Sequence, residues 1–279
     1  MTDDWRPSAN LDVLRARADV CRTVREFFHA RGVVEAFTPT LGRYTVTDPD
    51  VDGIEVPGYG YLQTSPEYFL KRLLAAGAPS CYQLAPAFRA GERGSHHNPE
   101  FLMLEWYRLG FDHESLMAEV ADLVNEVLGA QPFTRTPYSE LVSDLSAARD
   151  VLDLEFAESC AALTGRHFIV DYPADQAALS RLNPDNASVA ARFELVVDGV
   201  EIANGYWELA DADEHRRRFA LDLVIREERN KPTPEVDEPF LRAIEHGLPD
   251  CAGVALGVDR LVMLAAGCKS LDEVLAFRE

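Results

Sequence analysis

The sequence predicts an α+β fold in which an antiparallel sheet is flanked by helices. Two segments, residues 81–107 and 191–209, each contain a pair of strand-like stretches with alternating side chains joined by a turn or loop. Around these pairs lie stretches whose apolar residues recur at helical spacing. Paired strands with short connections build antiparallel sheets, and amphipathic helices can cover them. With 279 residues, of which 47% are hydrophobic, the chain can bury a core.

The helices are predicted from apolar spacing and from the residues that end them. Residues 10–31 carry an apolar stripe and are followed by Gly32, a typical C-terminal stop. Residues 113–128 show the same pattern and are followed by Gly129. Further helical stretches are predicted at residues 138–148, 156–163, 214–228 and 241–246.

Another helix is predicted after the segment T-S-P-E. Thr64 or Ser65 can cap it, and Pro66 suits its first turn. Glu67 then lies near the positive end of the helix dipole. Capping alone accounts for these residues.

The clearest hairpin signal is an Asp-Gly pair at positions 198 and 199, which suits a two-residue type I′ turn. With this turn setting the register, Glu194 and Glu201 lie on one face as diagonal neighbours about 7–8 Å apart. Two carboxylates on one face can share a metal ion, so this pair is a candidate metal site.

The segment 81–107 combines two strands with a polar loop. Alternation in its second strand puts an aromatic ring, a carboxylate and a phenol on one face, at Phe101, Glu105 and Tyr107. The loop before it supplies hydrogen-bond donors: Arg89, Arg93, His96, His97 and Asn98. These groups suit a nucleotide phosphate at one end and an ammonium at the other.

Charge and composition limit the classes of function. The chain has 27 Lys and Arg against 47 Asp and Glu, a net charge of −20, which disfavours extensive contact with nucleic acid and makes a tRNA partner unlikely. No apolar run is long enough to span a membrane, and no secretory leader is recognisable, so we expect no membrane association and a cytoplasmic protein. The five cysteines are scattered without a C-x-x-C pair, which argues against a zinc or redox site.

Three strings identify a resemblance. F-R followed by H-N-P-E-F and L-E-W-Y is similar to motif 2 of class II lysyl-tRNA synthetases, and G-V-A-L-G-V-D-R at 253–260 is similar to motif 3. The segment R-G-V-V-E-A-F-T-P-T-L resembles motif 1, whose strand ends at Pro39 and which implies a homodimer. The chain most closely resembles the short paralogues of these synthetases, the elongation factor P–(R)-β-lysine ligases. The resemblance implies a single class II catalytic domain over residues 1–279, with a shortened variable insert at 130–166 and no anticodon-binding domain.

The resemblance also implies roles for individual residues. Arg89 and Arg260 would be catalytic, Arg89 at the α-phosphate and Arg260 over the adenine opposite Phe101 and at the γ-phosphate. The implied ATP-binding residues are Arg89, Glu92, His97, Asn98, Phe101, Glu201, Gly257 and Arg260. The implied residues for the amino acid are Ser65, Glu67, Glu105, Tyr107, Asn204, Glu208 and Ala255. Magnesium would be held by Glu194 and Glu201, with ATP and Mg²⁺ as cofactors.

Two details qualify these assignments. Strict alternation would put Asn204 and Glu208 on the face opposite Glu201, so we predict a β-bulge near residues 203–205 that returns them to the site. The usual F-R-x-E of motif 2 has glycine here at position 91, so either Glu92 takes over the adenine contact through a shifted loop or the adenine amine meets backbone alone.

The resulting prediction is a ligase that activates (R)-β-lysine or lysine with ATP as an aminoacyl-adenylate. Elongation factor P is the expected acceptor, through a lysine side chain. Two alternatives stay open: a ligase that acts on another acceptor, such as tRNA or a carrier protein, and a synthetase-like regulatory protein without catalysis.

Overall fold

The computed structural model describes residues 5–278. Seven α-helices occur in this range: α1 Leu11–Ala30, α2 Glu67–Ala75, α3 His113–Leu128, α4 Arg149–Ala161, α5 Ala212–Glu228, α6 Glu238–Gly247 and α7 Val258–Ala265. The predicted stops are confirmed where glycine follows a helix. Gly32 and Gly129 have positive φ values of 66° and 82°, a conformation that ends a helix without steric cost for glycine.

The strands of the described residues form one large sheet and two small ones. Their bounds are β1 Val34–Glu35, β2 Leu41–Gly42, β3 Ile54–Val56, β4 Gly60–Leu62, β5 Cys81–Phe88, β6 Glu100–Leu109, β7 Phe133–Pro137, β8 Arg166–Val170, β9 Leu182–Asn183, β10 Asn186–Ala190, β11 Arg192–Val197, β12 Val200–Trp207 and β13 Cys251–Gly257. The eight-stranded sheet has the order β1-β5-β6-β13-β12-β11-β8-β7. Its central pairs are antiparallel, as predicted, whereas β1 with β5 and β7 with β8 at its two edges are parallel.

The two faces of the large sheet differ in character. One face is apolar and packs under α1, α3 and α7 to form the main core, with Leu104, Trp106 and Val254 among the fully buried residues. On the other face, α2, α5 and α6 cover one end, and α4 with residues 138–142 covers the far strands. The part of this second face between the two coverings carries the polar side chains described below.

Some predicted elements between residues 130 and 191 are wrong. The expected helix at 138–148 is only a 3-10 turn at Tyr138–Glu140, and the helix of this region begins at Arg149 rather than near residue 156. The edge strand β7 and the β9–β10 hairpin were not predicted. Both are short, and their side chains show no sustained alternation that would distinguish them from loops.

The hairpin of β11 and β12 has the predicted turn. Asp198 and Gly199 have positive φ values of 48° and 80°, as a type I′ turn requires. Glycine is needed for a second reason, because a Cβ at position 199 would lie 2.5 Å from the carbonyl oxygen of Ala161.

The predicted bulge exists, one residue earlier than expected. Val196 faces Glu201, but Leu195 faces Ala203, so Ile202 is the extra residue. Glu194 therefore pairs with Asn204 instead of Ala203. Because this shift changes the parity of β12, Asn204 and the residues two and four further on share the face of Glu194 and Glu201.

Two other features bear on the predictions. No helix in residues 5–278 is long and apolar enough to cross a membrane. The five cysteines are free thiols, of which three are buried and two partly buried. The single-domain prediction for residues 1–279 includes residues 1–4 and 279, which lie outside the described residues.

Candidate active site

A row of side chains crosses the polar face of the sheet. Glu105 pairs with Ala255, Ala255 with Asn204, and Asn204 with Glu194. Directly opposite residues in a sheet point to the same side, so all four side chains lie on one face. The alternation of four strands and one bulge thus brings together residues as far apart in the chain as Glu105 and Ala255.

A cavity of about 290 Å³ opens beside this row. It is lined by Arg89, Glu92, His96, His97, Asn98, Phe101, Leu102, Met103, Glu201, Ile202, Asn204, Ala255, Gly257, Asp259, Arg260 and Leu271. We call it the arginine-lined cavity. All eight predicted ATP-binding residues are among the lining residues, together with two of the residues predicted for the amino acid.

Arg89 lies between a ring and a carboxylate of the cavity. Its guanidinium is 5.2 Å from the centroid of the Phe101 ring, and its Nη1 is 3.5 Å from Glu92 Oε1. Gly91 has a φ of 76°, which turns the loop so that Glu92 enters the cavity. Glu92 thus lines the cavity beside Arg89, and whether the adenine amine meets Glu92 or backbone alone stays a prediction.

Arg260 connects strand β12 with the loop before β6. Its Nε donates to the carbonyl of His96 at 3.0 Å, its Nη1 donates to the carbonyl of Glu201 at 2.7 Å, and its Nη2 is 2.8 Å from His97 Nε2. Burial and the positive charge of Arg260 lower the pKa of His97, so this imidazole is neutral and can accept from the guanidinium. The guanidinium over Phe101 is that of Arg89, and stacking of Arg260 opposite this ring stays a prediction.

Glu194 and Glu201 are the candidate metal ligands. Burial, and then the negative charge of Glu201, raises the pKa of Glu194 to about 7, which fits two carboxylates close together. Carboxylate oxygens suit Mg²⁺, which takes one or two protein carboxylates and completes its shell with phosphates and water. Within residues 5–278 no cluster of three or more acidic, histidine or cysteine side chains could hold a metal by itself. A magnesium ion here would thus depend on oxygens supplied by ATP.

Arg192 was not predicted and supports this pair. It is buried, donates to Glu194 Oε1 at 2.7 Å and to the carbonyl of Gln176 at 2.7 Å, and packs on the Tyr172 ring. The sequence could have indicated this contact, because Arg192 lies two residues before Glu194 on the same strand and alternation puts both side chains on one face.

Six residues form what we call the carboxylate cluster: Ser65, Glu67, Lys71, Glu105, Tyr107 and Glu208. Ser65 Oγ donates to Glu105 Oε2 at 2.7 Å and accepts from the main-chain N–H of Glu67 at 2.9 Å. The N-cap position of α2 is Pro66 rather than the predicted Thr64 or Ser65, although Ser65 still bonds the first N–H of the helix. Tyr107 Oη donates to Glu105 Oε1 at 2.7 Å. Burial raises the pKa of Glu105 to about 7.

Lys71 is the member of the cluster that sequence reasoning missed. Its Nζ lies 2.5 Å from Glu67 Oε1 and 2.6 Å from Glu208 Oε2, and the side chain is fully buried. Burial raises the pKa of Glu208 to about 8, although Lys71 opposes this shift. The spacing of Glu67 and Lys71, four residues apart on a helix, was the only local signal.

Gly253 is a second residue that the sequence did not single out. A Cβ there would lie 2.3 Å from the Tyr107 ring and 2.6 Å from Glu208 Oε1. The missing side chain therefore leaves the space in which these two groups approach the sheet.

Comparison with known proteins places this geometry in a family. The family model of class II tRNA synthetases (D, K and N) matches residues 3–279. An elongation factor P–(R)-β-lysine ligase from Vibrio vulnificus (strain YJ016) is 40% identical, over 99% of this chain and 98% of that protein. The proteins of the same name from Klebsiella pneumoniae (strain 342) and Yersinia enterocolitica serotype O:8 are 42% and 41% identical over the same shares.

The lengths of these proteins also differ. The Vibrio vulnificus alignment spans 318 positions whereas this chain has 279 residues, so the relative carries at least 39 residues without a counterpart here. That difference agrees with a shortened insert, whose location at 130–166 stays a prediction. The match over almost the whole chain shows that it belongs to the class II tRNA synthetase family of the D, K and N type, among proteins that resemble elongation factor P–(R)-β-lysine ligases.

Proposed function

We propose that this protein activates (R)-β-lysine, or a closely related lysine isomer, with ATP and transfers it to a lysine side chain of elongation factor P. The substrate and the acceptor are those that the names of the relatives give. The observation that carries the proposal is the continuous row from Glu105 to Glu194, which joins the arginine-lined cavity to the carboxylate cluster. One pocket suits a triphosphate and the other suits an ammonium, and their shared wall is where a carboxylate and an α-phosphate would meet.

The first reaction joins two anions, so it depends on positive charge. A carboxylate oxygen of the amino acid attacks the α-phosphorus, the bond to the bridging oxygen breaks, and pyrophosphate leaves. Arg89 would bind the acid and the α-phosphate, and Arg260 would bind the distal phosphates. Bound Mg²⁺, held by Glu194 and Glu201, would supply further charge neutralisation on the phosphates.

The carboxylate cluster would fix the other end of the amino acid. Glu105 and Glu208 offer buried carboxylates, and Tyr107 adds a phenol oxygen beside them. Lys71 is the single cation of this cluster, so an amino acid without a side-chain ammonium would leave part of the buried negative charge without a counter-charge, which costs far more than a lost apolar contact. This arrangement favours a lysine-like acid.

The second reaction forms an amide. The neutral amine of the acceptor lysine attacks the carbonyl carbon of the adenylate, AMP leaves with the bonding electron pair, and the nitrogen loses a proton. No protein nucleophile is needed, because the adenylate already carries a good leaving group.

The remaining predictions concern assembly and location. We propose a homodimer formed through β1, the edge strand of the large sheet, and the segment that follows it, because Val34, Phe37 and Leu41 there are 50%, 83% and 40% exposed. A single catalytic domain and a cytoplasmic location also stay proposals. Size-exclusion chromatography with light scattering tests the dimer.

The test of function is ATP–pyrophosphate exchange with magnesium over a panel of (R)-β-lysine, (S)-β-lysine, α-lysine and uncharged amino acids. The proposal expects the strongest exchange with (R)-β-lysine and none without Mg²⁺. Incubation with purified elongation factor P should then add one β-lysyl mass, which intact-protein mass spectrometry detects.

Each other outcome is informative. If exchange is strongest with α-lysine, or if the mass of elongation factor P does not change, tRNA or a carrier protein becomes the favoured acceptor. Absence of exchange with every amino acid would contradict the proposal and favour a regulatory role.

A further inference from the structure

Lys71 is a fully buried cation inside the carboxylate cluster, and the proposed chemistry gives it no role. A lysine side chain with no exposed area is unusual in a folded protein unless it is paired. Burial alone would lower its pKa, but the carboxylates of Glu208 and Glu67 outweigh burial and raise it. The ammonium is therefore a permanent positive charge.

The contacts of Lys71 divide the oxygens of its two partners. Lys71 Nζ forms ion pairs with Oε1 of Glu67 and Oε2 of Glu208. The other oxygen of Glu208 lies over Gly253 on the polar face, beside the Tyr107 ring. The Glu67 side chain is 18% exposed, and its Oε2 is not the atom that contacts Lys71. One oxygen of each carboxylate is left for a ligand.

The contact between Lys71 and Glu208 is a close ion pair rather than an aligned hydrogen bond, since Glu208 Oε2 has no hydrogen-bond partner that meets ordinary geometry. Its strength thus depends on charge. When all three carboxylates of the cluster are ionised, they carry three negative charges, and Lys71 carries one positive charge. The net charge is then minus two. A lysine-type acid brings two ammonium groups.

The other titratable groups near Lys71 and Glu208 do not supply a second positive charge to the Glu208 carboxylate. Burial, with Lys71 contributing, lowers the pKa of His215 to about 4, so this imidazole is neutral. Burial raises the pKa of Cys251 above its ordinary range, so the thiol is neutral as well. Arg181 is bound to the carbonyl of Glu208 and to Asp250.

We propose that Lys71 is a positioning residue of the amino-acid pocket: it orients Glu67 and Glu208, favours the charged form of Glu208 when an ammonium binds, and thereby matches the pocket to an acid with two ammonium groups. This inference rests on the proposed function. Lys71 opposes the upward shift that burial gives the pKa of Glu208. Without Lys71, this carboxyl would ionise less readily at neutral pH and would hold an ammonium more weakly.

The test compares the unmodified 279-residue chain with its Lys71→Met and Lys71→Gln variants. Glutamine keeps a hydrogen-bond donor without the charge and guards against a folding defect in the methionine variant. At pH 7 the KM for (R)-β-lysine should rise about tenfold to a hundredfold, as expected when a buried charge loses its partner. The KM for ATP should stay within about twofold, and the defect should shrink as the pH is raised toward 9 because a larger fraction of Glu208 is then ionised.

The matched control is Lys269→Met, which changes an exposed lysine outside the pocket and should leave both KM values unchanged. Wild-type KM values and pH profile in both Lys71 variants would overturn the inference. So would an equal rise in both KM values without alkaline recovery, since a general packing defect acts on the whole sheet.

Amino-acid binding is also read by the thermal shift that (R)-β-lysine produces, which needs no turnover. If (R)-β-lysine raises the melting temperature of the wild type but not of the Lys71 variants, and no exchange occurs, the proposed function is overturned and this inference is kept. A wild-type protein with neither would overturn both.

Discussion

The arginine-lined cavity and the carboxylate cluster share one face of one sheet, yet they handle charge differently. Arg89 and Arg260 keep contact with solvent, with side chains 28% and 19% exposed. Lys71, Glu105 and Glu208 are at most 2% exposed and pair within the protein. A polyanion brings its own hydrated charge, so its binding groups can keep contact with solvent, whereas binding of a buried ammonium requires carboxylates that are partly balanced before the ligand arrives.

The largest expected effect belongs to the arginine-lined cavity. Arg89→Ala should lower kcat/KM for adenylate formation by about a hundredfold to a thousandfold, or about 3–4 kcal/mol, because a preorganised charge at the α-phosphate is lost. Its melting temperature should stay close to that of the wild type, because Arg89 is partly exposed. Pyrophosphate exchange and a melting curve measure the two quantities.

Arg22→Ala is a suitable control for this variant, since Arg22 is a 64% exposed arginine on α1. A large loss of activity in the control, or wild-type activity in Arg89→Ala, would contradict the assignment of Arg89.

The next effect belongs to the carboxylate cluster and should affect the amino acid alone. Glu105→Gln keeps the shape of the side chain, and the hydroxyls of Ser65 and Tyr107 can each turn to donate or accept, so the fold should persist. The KM for (R)-β-lysine should rise about a hundredfold because a buried ammonium loses its counter-charge. Steady-state exchange kinetics would show the KM for ATP nearly unchanged.

The difference between the two regions also predicts how stability depends on pH. Burial raises the pKa of Glu105 to about 7 and that of Glu208 to about 8, above their unfolded values. A raised carboxyl pKa gives stability that is present below the unfolded pKa and is lost as the pH rises through the folded pKa. Without substrate, the melting temperature should thus fall by roughly 5 °C between pH 6 and pH 8.5.

Saturating (R)-β-lysine should reduce this fall, since an ammonium stabilises the ionised carboxylates. The Glu105→Gln variant should show a smaller fall than the wild type. A melting temperature independent of pH in this window would contradict the picture of a strained, buried cluster.

The smallest effect is expected at the wall between the two regions. Ala255 lies between Glu105 and Asn204 in the sheet, and Ala255→Gly removes its methyl group. The ratio of kcat/KM for (R)-β-lysine over α-lysine should change several-fold, as for one methyl group in a binding pocket. Ala252→Gly changes the same strand on its buried opposite face and should cost similar stability without altering the ratio.

The site could be predicted to different depths in the two regions. Every residue predicted for ATP lines one cavity. All of them except Glu201 on β12 lie in two continuous stretches around β6 and β13, whose local conformation fixes their neighbours. In the carboxylate cluster, Lys71 was missed, since its partner Glu208 lies far along the chain and only packing brings them together.

The sequence by itself determined the elements with strong local rules: the capped helices, the Asp-Gly turn, and the alternation that puts Phe101, Glu105 and Tyr107 on one face. It also required a bulge in β12, because the site residues would otherwise face opposite sides. Tertiary structure decided that the extra residue is Ile202, that the strands beyond residue 130 extend the sheet, and that Lys71 and Arg192 balance the buried carboxylates. The physical reason is that conformational preference acts over a few neighbouring residues, whereas burial and charge balance depend on partners that only the completed fold brings together.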